Sequence, residues 1–417
     1  MAANNSSATL SALWYEIYGD SIDNIIPESS VLGKAIKFRE SEKVGDKFVQ
    51  PVQLTQEHGY TYLGQNDAVS TLLTSVAATY AEAQVDPSSA VLRSRISYSA
   101  ADKMASNKTA FVNWSEMLIK NMVGTMAKRN EIAYLYGQSG VGTISAVSDS
   151  SGTNTVTLSD FADGIWGGME GATFDVFNGT TKRNTNAKVT VSAVNFDNGT
   201  VTLVGNATDT ASFAADDVLY FEGANAGSGS YKEMAGIDAI VSNTGTLFNI
   251  SASTYGLWKG VTQSAGSAQL TLGKIFGGVA KAQSRGMSGD YMVLVNPKTY
   301  ANLNSDQSAL RRYDSSYRGS KEENGAGELC FYSGAGKIMV KEHLYVKPTE
   351  AFGLPLKEMH RIGTTDISFK LPHAAAGGEM FLHIPDASGY ELRSRSELAI
   401  FCQKPAWMVK WTSIVNA

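Results

Sequence analysis

Apolar and polar side chains alternate with a period of two along five short stretches of the chain. The stretches are residues 155–158, 172–177, 188–194, 200–204 and 217–221. Alternate side chains point to opposite faces of a strand, so one face of each stretch can be buried while the other stays exposed. Asn178–Gly179 and Asn198–Gly199 lie between such stretches, and Asn-Gly favours tight hairpin turns. The pattern predicts a small antiparallel β domain over residues 140–230.

The same block also differs from the rest of the chain in charge. It contains 3 basic and 10 acidic residues, a net charge of -7, whereas the whole chain of 417 residues has a net charge of -5. The remainder is therefore net +2. A dedicated nucleic-acid-binding protein needs a strong cationic excess, so the composition argues against that class. A charged fraction of 18% with a hydrophobic fraction of 43% also excludes a charge-rich disordered chain.

A long helix is predicted from about residue 108 to residue 136, directly before this block. Its apolar residues recur at a spacing of three to four: Phe111, Trp114, Leu118, Met122, Met126, Ile132, Ala133 and Tyr136. That spacing places them on one broad face. Gly137 is expected to take the left-handed conformation that commonly ends a helix. At ~1.5 Å per residue the helix would be about 40 Å long, which suits a structural spine.

The segments before this helix contain too few apolar residues to form a core. Residues 10–18 are a short amphipathic piece, and residues 38–100 have the pattern of a long two-stranded excursion. Its first strand is predicted within 38–64 and its return strand at 91–98, with a partly helical stretch at 69–83 between them. Because two strands alone are too thin to be stable, we expect these segments to lie on another part of the chain or on a neighbouring subunit.

After residue 231 helices and strands follow one another. A helix is predicted over 271–287, then a strand at 291–295 and a second helix opened by Pro297. Further strands are predicted at 337–340, 366–371, 379–384, 391–400 and 408–414. The chain as a whole is predicted to be an α+β protein.

The sequence contains no motif that indicates an enzyme. It has no phosphate-binding loop, no nucleophile elbow and no zinc-protease motif. Its five histidines are scattered and its two cysteines stand far apart, so neither a metal nor a cofactor is expected. The glycine-rich residues 137–142 follow a helix and precede strands, the reverse of a dinucleotide site. No signal peptide or membrane-spanning stretch is evident.

One segment mixes guanidinium groups with aromatic rings, a chemistry that can bind phosphates or stack on bases. It contains Arg311, Arg312, Tyr313 and Arg318. The alternative is a charged loop that contacts a partner subunit or water.

Several segments resemble tailed-bacteriophage major capsid proteins. Residues 13–18, 30–36, 45–52 and 60–64 are similar to the family's N-terminal arm and E-loop hairpin. The helix that ends near Gly137 resembles the family's spine helix, residues 236–240 resemble the re-entry after a β insertion, and residues 271–297 resemble its A domain. The similarity follows the order of the segments along nearly the whole chain.

This resemblance implies an α+β, HK97-like capsid fold with an inserted small antiparallel β domain. The implied divisions are an N-arm at 1–37, the E-loop and its flanks at 38–104, the spine helix of the P (peripheral) domain at 105–139, the inserted β domain at 140–230, mainly the A (axial) domain at 231–365, and return strands mainly of the P domain at 366–417.

The resemblance also implies a function. The chain would be a structural protein of the virion capsid, synthesised in the bacterial host cytoplasm, that assembles into hexamers and pentamers of an icosahedral shell around double-stranded DNA. Because no charged helical segment precedes the arm, we expect the scaffolding protein to be a separate chain. A portal at one vertex, a decoration protein on the outer face, weak non-specific contact with DNA and no membrane partner are also expected.

The expected intersubunit contacts are the aromatic and basic residues of the arm, the hairpin and the Arg/Tyr segment: Leu13, Trp14, Tyr15, Tyr18, Phe48, Tyr60, Tyr62, Arg93, Arg95, Arg311, Arg312, Tyr313 and Arg318. Two other interpretations stay open at this point. One is an encapsulin-like host nanocompartment shell, which would use the same fold. The other is a carbohydrate-active enzyme with a β accessory domain, which would need converging carboxylates and an aromatic cleft.

Overall fold

The computed structural model describes residues 30–40, 47–68, 74–98, 114–311, 329–334, 336–369, 381–384 and 388–416. Its α-helices are α1 (Leu32–Ala35), α2 (Trp114–Tyr136), α3 (Asp163–Trp166), α4 (Ala207–Thr210), α5 (Ile237–Val241), α6 (Leu272–Ser284) and α7 (Pro297–Arg311). Single 3-10 turns are at Gly256–Trp258, Leu356–Glu358 and Pro405–Trp407.

The strands are β1 (Phe38–Glu40), β2 (Phe48–Gln53), β3 (Tyr80–Val85), β4 (Ser88–Ser97), β5 (Gly142–Ser150), β6 (Thr153–Leu158), β7 (Thr173–Asn178), β8 (Thr181–Lys182), β9 (Val189–Asn195), β10 (Thr200–Val204), β11 (Val218–Phe221), β12 (Asn225–Gly227), β13 (Ser230–Tyr231), β14 (Thr246–Leu247), β15 (Ile250–Ser251), β16 (Val261–Ala268), β17 (Tyr291–Val295), β18 (Leu329–Ser333), β19 (Gly336–Glu342), β20 (Ala351–Leu354), β21 (Met359–Ser368), β22 (Phe381–His383), β23 (Gly389–Cys402) and β24 (Val409–Ile414).

Residues 140–230, with their alternating apolar and polar side chains, fold as predicted into an antiparallel sheet. Its strand order is β11-β5-β6-β10-β9-β7-β8, and β11 also pairs with β7. The pairing therefore closes six strands into a ring, which leaves few free edges for unwanted association. In the turns at Gly179 and Gly199 only the glycine has a positive φ. Buried residues inside this ring, such as Phe174 and Leu203, belong to the same core as Ile132 and Leu135 of α2.

The predicted long helix is confirmed over α2; its first predicted residues lie outside the described part of the chain. The expectation for Gly137 is wrong, because the left-handed residue after the helix is Gln138, with a φ of 67°. A Cβ atom on Gly137 would lie 2.2 Å from the carbonyl oxygen of Met234. This position therefore needs glycine for a close backbone approach, not for its φ.

A sheet of long strands packs against α2. The fourteen-residue β23 pairs along one edge with β4 and along the other with β21 and then β22, all antiparallel, and β1 joins β21 in parallel. The side chains of Leu392, Ser394 and Ser396 are buried on the core side of β23. Ser396 lies 3.3 Å from Asn130 of α2, side-chain oxygen to side-chain oxygen. The outward face of β4 and β23 consequently carries the odd-numbered side chains.

The two-stranded excursion is confirmed, but its return strand is wrong. The partner of β2 is β3, whereas residues 91–97 lie in β4 and pair with β23. Residues 80–83, predicted as partly helical, are also in β3. Tertiary packing explains the difference, because Ala83 and Val85 are fully buried at the base of the hairpin.

The remaining large sheet has six strands in the order β16-β24-β20-β17-β19-β18. The predicted helices at 271–287 and Pro297 are confirmed as α6 and α7, and the strand at 291–295 is fully buried as β17. On α6, Ile275, Val279 and Ala282 are buried, and Gly278 lies against the ring of Trp411. The last strand, β24, joins this sheet and not the sheet of β21 and β23.

Candidate intersubunit surfaces

Five of the predicted contact residues have described side chains. They are Phe48, Tyr60, Tyr62, Arg93 and Arg95. The structure places them on two features, the β2–β3 hairpin and the outward face of β4 and β23. The following lie outside the described residues: Leu13, Trp14, Tyr15, Tyr18, Arg312, Tyr313 and Arg318. Arg311 is the last residue of α7, and its side chain is not among those described.

The base of the hairpin packs on its own chain. The ring of Phe48 meets the ring of buried Phe401 edge-on, with 6.1 Å between centroids. Burial alternates along β2, which follows from one face of the hairpin lying on the core and the other facing outward. On the outward face Val49 and Tyr80 are exposed. Phe48 therefore anchors the hairpin, while the outward apolar residues contact nothing in the same chain that buries them.

The hairpin projects well beyond its packed base. Hydrogen bonds continue the ladder past the named strands, from Leu54 N to the Thr79 oxygen and on to a bridge between His58 and Val76. At about 3.3 Å per residue the ladder is roughly 33 Å long. Beyond it, Tyr60 and Tyr62 are 74% and 85% exposed, with ring centroids 5.1 Å apart. These two rings form the aromatic tip of a projecting element.

Arg93 and Arg95 belong to a larger arginine face on β4 and β23. Arg93 lies opposite Arg393, and Arg95 lies opposite Glu391. All three arginines form ion pairs with the single carboxylate of Glu391. Sequence reasoning missed the β23 half of this face. The signal was present, since glutamate and arginine occupy alternate positions from 391 to 397 in a predicted strand.

A buried junction between three segments was also missed. Glu131 of α2 accepts hydrogen bonds from the backbone N–H groups of Leu32 and Gly33, at 2.5 and 3.0 Å, and its Oε1 lies 3.1 Å from Nε2 of His343. It therefore ties α1, where the N-terminal segment meets the core, to α2 and to the chain after β19. The only available sequence signal was a glutamate beside the apolar residues Ile132 and Ala133 near the end of the predicted helix.

The contact between α2 and the ring contains a second acidic group, Glu233. The guanidinium of Arg129 lies 3.8 Å from the ring centroid of Phe221, and Gln138 donates a backbone N–H to Glu233 at 3.5 Å. Burial raises the pKa of Glu233 from its ordinary value to about 7. The folded state thus holds a proton on this group to a higher pH than the unfolded state.

This shift predicts a pH dependence of stability. With a folded pKa above the unfolded one, the contribution of Glu233 is full below about pH 4.5 and is lost as the pH rises to about 7. We expect the unfolding midpoint to fall across this window and the E233Q variant to show a flatter profile there. Thermal unfolding of both proteins between pH 4 and 8 checks this. A slope unchanged in E233Q would contradict the assignment.

Two features are absent from the described residues. Among them, no group of three histidine, cysteine, aspartate or glutamate side chains is placed to hold a metal ion. None of the helices in the described ranges is long and apolar enough to span a membrane.

The fold is that of phage capsid proteins. A chain of the cyanophage A-1(L) capsid asymmetric unit is similar with a TM-score of 0.61 and 11% identity, and the match covers 98% of this chain and 99% of that one. The capsid of a native GTA particle gives a TM-score of 0.51 at 8% identity, with 99% and 100% covered. The capsid of an empty GTA particle gives 0.50 at 8% identity, with 99% and 100% covered. By sequence, no family model and no curated protein matches.

Proposed function

We propose that the chain is a major capsid protein that assembles into hexamers and pentamers of an icosahedral shell enclosing double-stranded DNA. The observation that carries the proposal is the capsid-protein fold shared over 98% of the chain. In this interpretation the hairpin of β2 and β3 is the E-loop of an HK97-like subunit. The P domain contains α2 and the sheet of β23, the A domain contains the six-stranded sheet, and the ring of β5 to β11 is the inserted domain.

The exposed hairpin supports self-association. A two-stranded element about 33 Å long, packed on its own chain only at its base, has little apolar area to bury within that chain. Tyr60, Tyr62, Tyr80 and Val49 nevertheless remain exposed along it. Exposed apolar groups of this kind mark interaction surfaces, and closed symmetry repeats one such contact throughout a shell.

The charge distribution supports an outward position for the ring. The segment 140–230 has a net charge of -7, and the exposed residues Glu170, Asp197 and Asp216 are among its carboxylates. Like charges repel, so the ring is favoured away from packaged DNA, where it could contact a decoration protein. A separate scaffolding protein and a portal at one vertex complete the proposed assembly.

Electron microscopy of the overexpressed chain tests the function directly. We expect regular shells, tubes or capsomers, formed by the chain alone or together with a scaffolding protein. A strictly monomeric species under all of these conditions would contradict the proposal.

Replacing both tyrosines at the hairpin tip by serine, Y60S with Y62S, is expected to reduce the yield of shells several-fold without unfolding the subunit. Both rings are largely exposed, so their loss removes little intrachain packing, whereas a contact to a neighbour is repeated at every subunit. Size-exclusion chromatography gives the assembled fraction and thermal unfolding gives the stability.

The matched control is F196S, which changes an exposed aromatic residue on the ring instead of on the hairpin. It is expected to leave assembly near the level of the unchanged chain. Normal assembly of the double tyrosine variant would show that the hairpin tip does not contribute to the contact between subunits.

A further inference from the structure

The arginine face lies on the outward side of two adjacent antiparallel strands. Its charged members are Arg93 and Arg95 on β4, and Glu391, Arg393, Arg395 and Glu397 on β23. Four guanidinium groups against two carboxylates give this face a local charge of +2 in a chain whose net charge is -5. This local excess is the opposite of the overall composition.

One carboxylate neutralises three of the arginines only in part. Glu391 meets the Nε atoms of Arg93, Arg95 and Arg393 at 2.6, 3.3 and 2.5 Å. The hydrogen bond from Arg393 is the largest of the effects that hold the pKa of Glu391 below its ordinary value, so the carboxylate stays ionised. The three arginines nevertheless exceed it by two positive charges.

The unused donors of these arginines point to an anionic ligand. Within the described part of the chain, the terminal Nη groups of Arg93, Arg95 and Arg393 have no hydrogen-bond partner. The three side chains are 48%, 53% and 48% exposed. Because Glu391 binds the Nε atoms, each guanidinium is held in place while its two Nη groups stay free to donate to a ligand.

We propose that the arginine face binds the phosphodiester backbone of a nucleic acid. A guanidinium fork fits phosphate oxygens in a bidentate geometry, and the sheet fixes Arg93 and Arg95 about 6.6 Å apart along β4. Phosphate oxygens would replace water at the Nη groups, while Glu391 keeps the guanidinium groups oriented. No groove-reading element accompanies the face within the described ranges, so the binding is expected to be independent of base sequence.

A nucleic-acid backbone fits this face better than an acidic segment of a second copy. An extended protein strand would have to present carboxylates two residues apart to match Arg93 and Arg95. In the sequence only Glu40 and Glu42 stand at that spacing, and the adjacent Arg39 and Lys43 balance their charge, so that segment is not acidic overall. A nucleic acid carries a negative charge on every nucleotide, so it can bring phosphates to both arginines wherever it lies along β4. Under the proposed function, this face would be directed toward the packaged DNA, but the binding itself is argued without reference to assembly.

The test measures binding of a short labelled DNA duplex of mixed sequence to full-length subunits that have been separated from shells by size exclusion. Fluorescence anisotropy at a series of salt concentrations gives the affinity and its salt dependence. For R93Q with R393Q we expect several-fold weaker binding and a salt slope that is smaller by roughly 0.9 for each phosphate that the variant no longer binds. The control K281Q with K341Q removes two exposed positive charges elsewhere and should bind DNA nearly as the unchanged chain does.

A second variant tests the opposite direction. E391Q removes one negative charge from the face, while the amide oxygen of glutamine can still accept from the Nε groups and orient them, so it should bind the duplex more tightly than the unchanged chain. This result does not depend on the stability of the arginine variants, whose folding is checked by thermal unfolding. An acidic peptide of the same charge as the duplex is the comparison ligand and should bind more weakly.

The proposal is overturned if the variant R93Q with R393Q binds DNA as tightly as the control K281Q with K341Q. It is also overturned if E391Q binds no more tightly than the unchanged chain. It is also overturned if the acidic peptide binds as well as the duplex, which would indicate a protein partner. Each of these results leaves the shell test by electron microscopy unaffected, so a failed ligand assignment and a failed capsid function are distinguishable.

Discussion

Replacing Lys410 by methionine is expected to destabilise the folded chain by about 3–5 kcal/mol, the cost of breaking a buried ion pair from one side. The ammonium group of Lys410 on β24 contacts a carboxylate oxygen of Asp238 on α5 and lies 2.7 Å from Oε1 of Glu350. All three side chains are largely buried. Methionine fills a similar volume but leaves the two carboxylates without their shared cation.

The measurement is the free energy of unfolding from urea titration followed by tryptophan fluorescence. The matched control is K404M, because Lys404 is half exposed and pairs with Glu358 at 3.1 Å on the surface. A surface pair contributes only about 0–1 kcal/mol, so this variant should lose little stability. Equal losses in both lysine variants would contradict the role given to burial.

Neutralising the partners should restore much of the lost stability. A triple variant with K410M, D238N and E350Q removes the unpaired charges along with the cation. Replacing a whole buried ionic group by neutral residues is often close to neutral in energy, whereas removing one partner is not. The triple variant is therefore expected to be more stable than K410M alone, and a triple variant as unstable as the single one would contradict the electrostatic explanation.

The pH dependence of the K410M loss follows from Glu350. Burial, followed by the nearby Asp238, raises the pKa of Glu350 above its ordinary value of 4.5, and Lys410 opposes that shift. Without Lys410 the folded pKa rises further, so stability is retained below about pH 4.5 and lost as the pH increases through the folded value. The deficit of K410M relative to the unchanged chain should therefore grow from pH 4 to pH 8.

The sequence predicts those strands and helices along which apolar side chains recur at a regular spacing, two residues in a strand and three to four in a helix. In the ring, burial alternates along β6 and β10, and the hairpins β5–β6 and β9–β10 join strands that are close in sequence, so pattern and pairing can both be predicted there. The helix α2 is also predicted, because its apolar spacing is regular. Its end was assigned for the wrong reason, since the close contact between Gly137 and Met234 depends on the fold.

Pairings between distant segments could not be predicted from these patterns. The register that sets Arg93 opposite Arg393 joins residues 300 positions apart, and the alternation in each strand does not identify its partner. For the same reason β4 was expected to return to the hairpin. The alanine-rich β3 has a weak strand signal of its own, and the burial of Ala83 and Val85 decides its conformation.

The second large effect is expected at Glu131, where replacement by alanine should cost about 3 kcal/mol or more, because each of three donors left without an acceptor costs about 1–3 kcal/mol. The carboxylate is 1% exposed and accepts from the backbone of Leu32 and Gly33. Nδ1 of His343 accepts the backbone N–H of Tyr345 at 3.1 Å, so the ring proton is on Nε2 and is donated to Glu131. Alanine would leave three donors without an acceptor, two of them buried and Gly33 N–H partly buried, which adds a desolvation cost to the lost hydrogen bonds.

The loss should appear first where α1 is attached to α2. Hydrogen exchange of the Leu32 and Gly33 amides is expected to accelerate strongly in E131A, because these N–H groups lose their acceptor. In E131Q one amide oxygen can still accept, so its stability should lie between E131A and the unchanged chain. The control E170A removes an exposed carboxylate on the ring and should leave both stability and exchange unchanged. If E131A kept the slow exchange of these amides, Glu131 would not be what attaches α1 to α2, and the burial of Leu32 and Ile36 would have to account for the attachment.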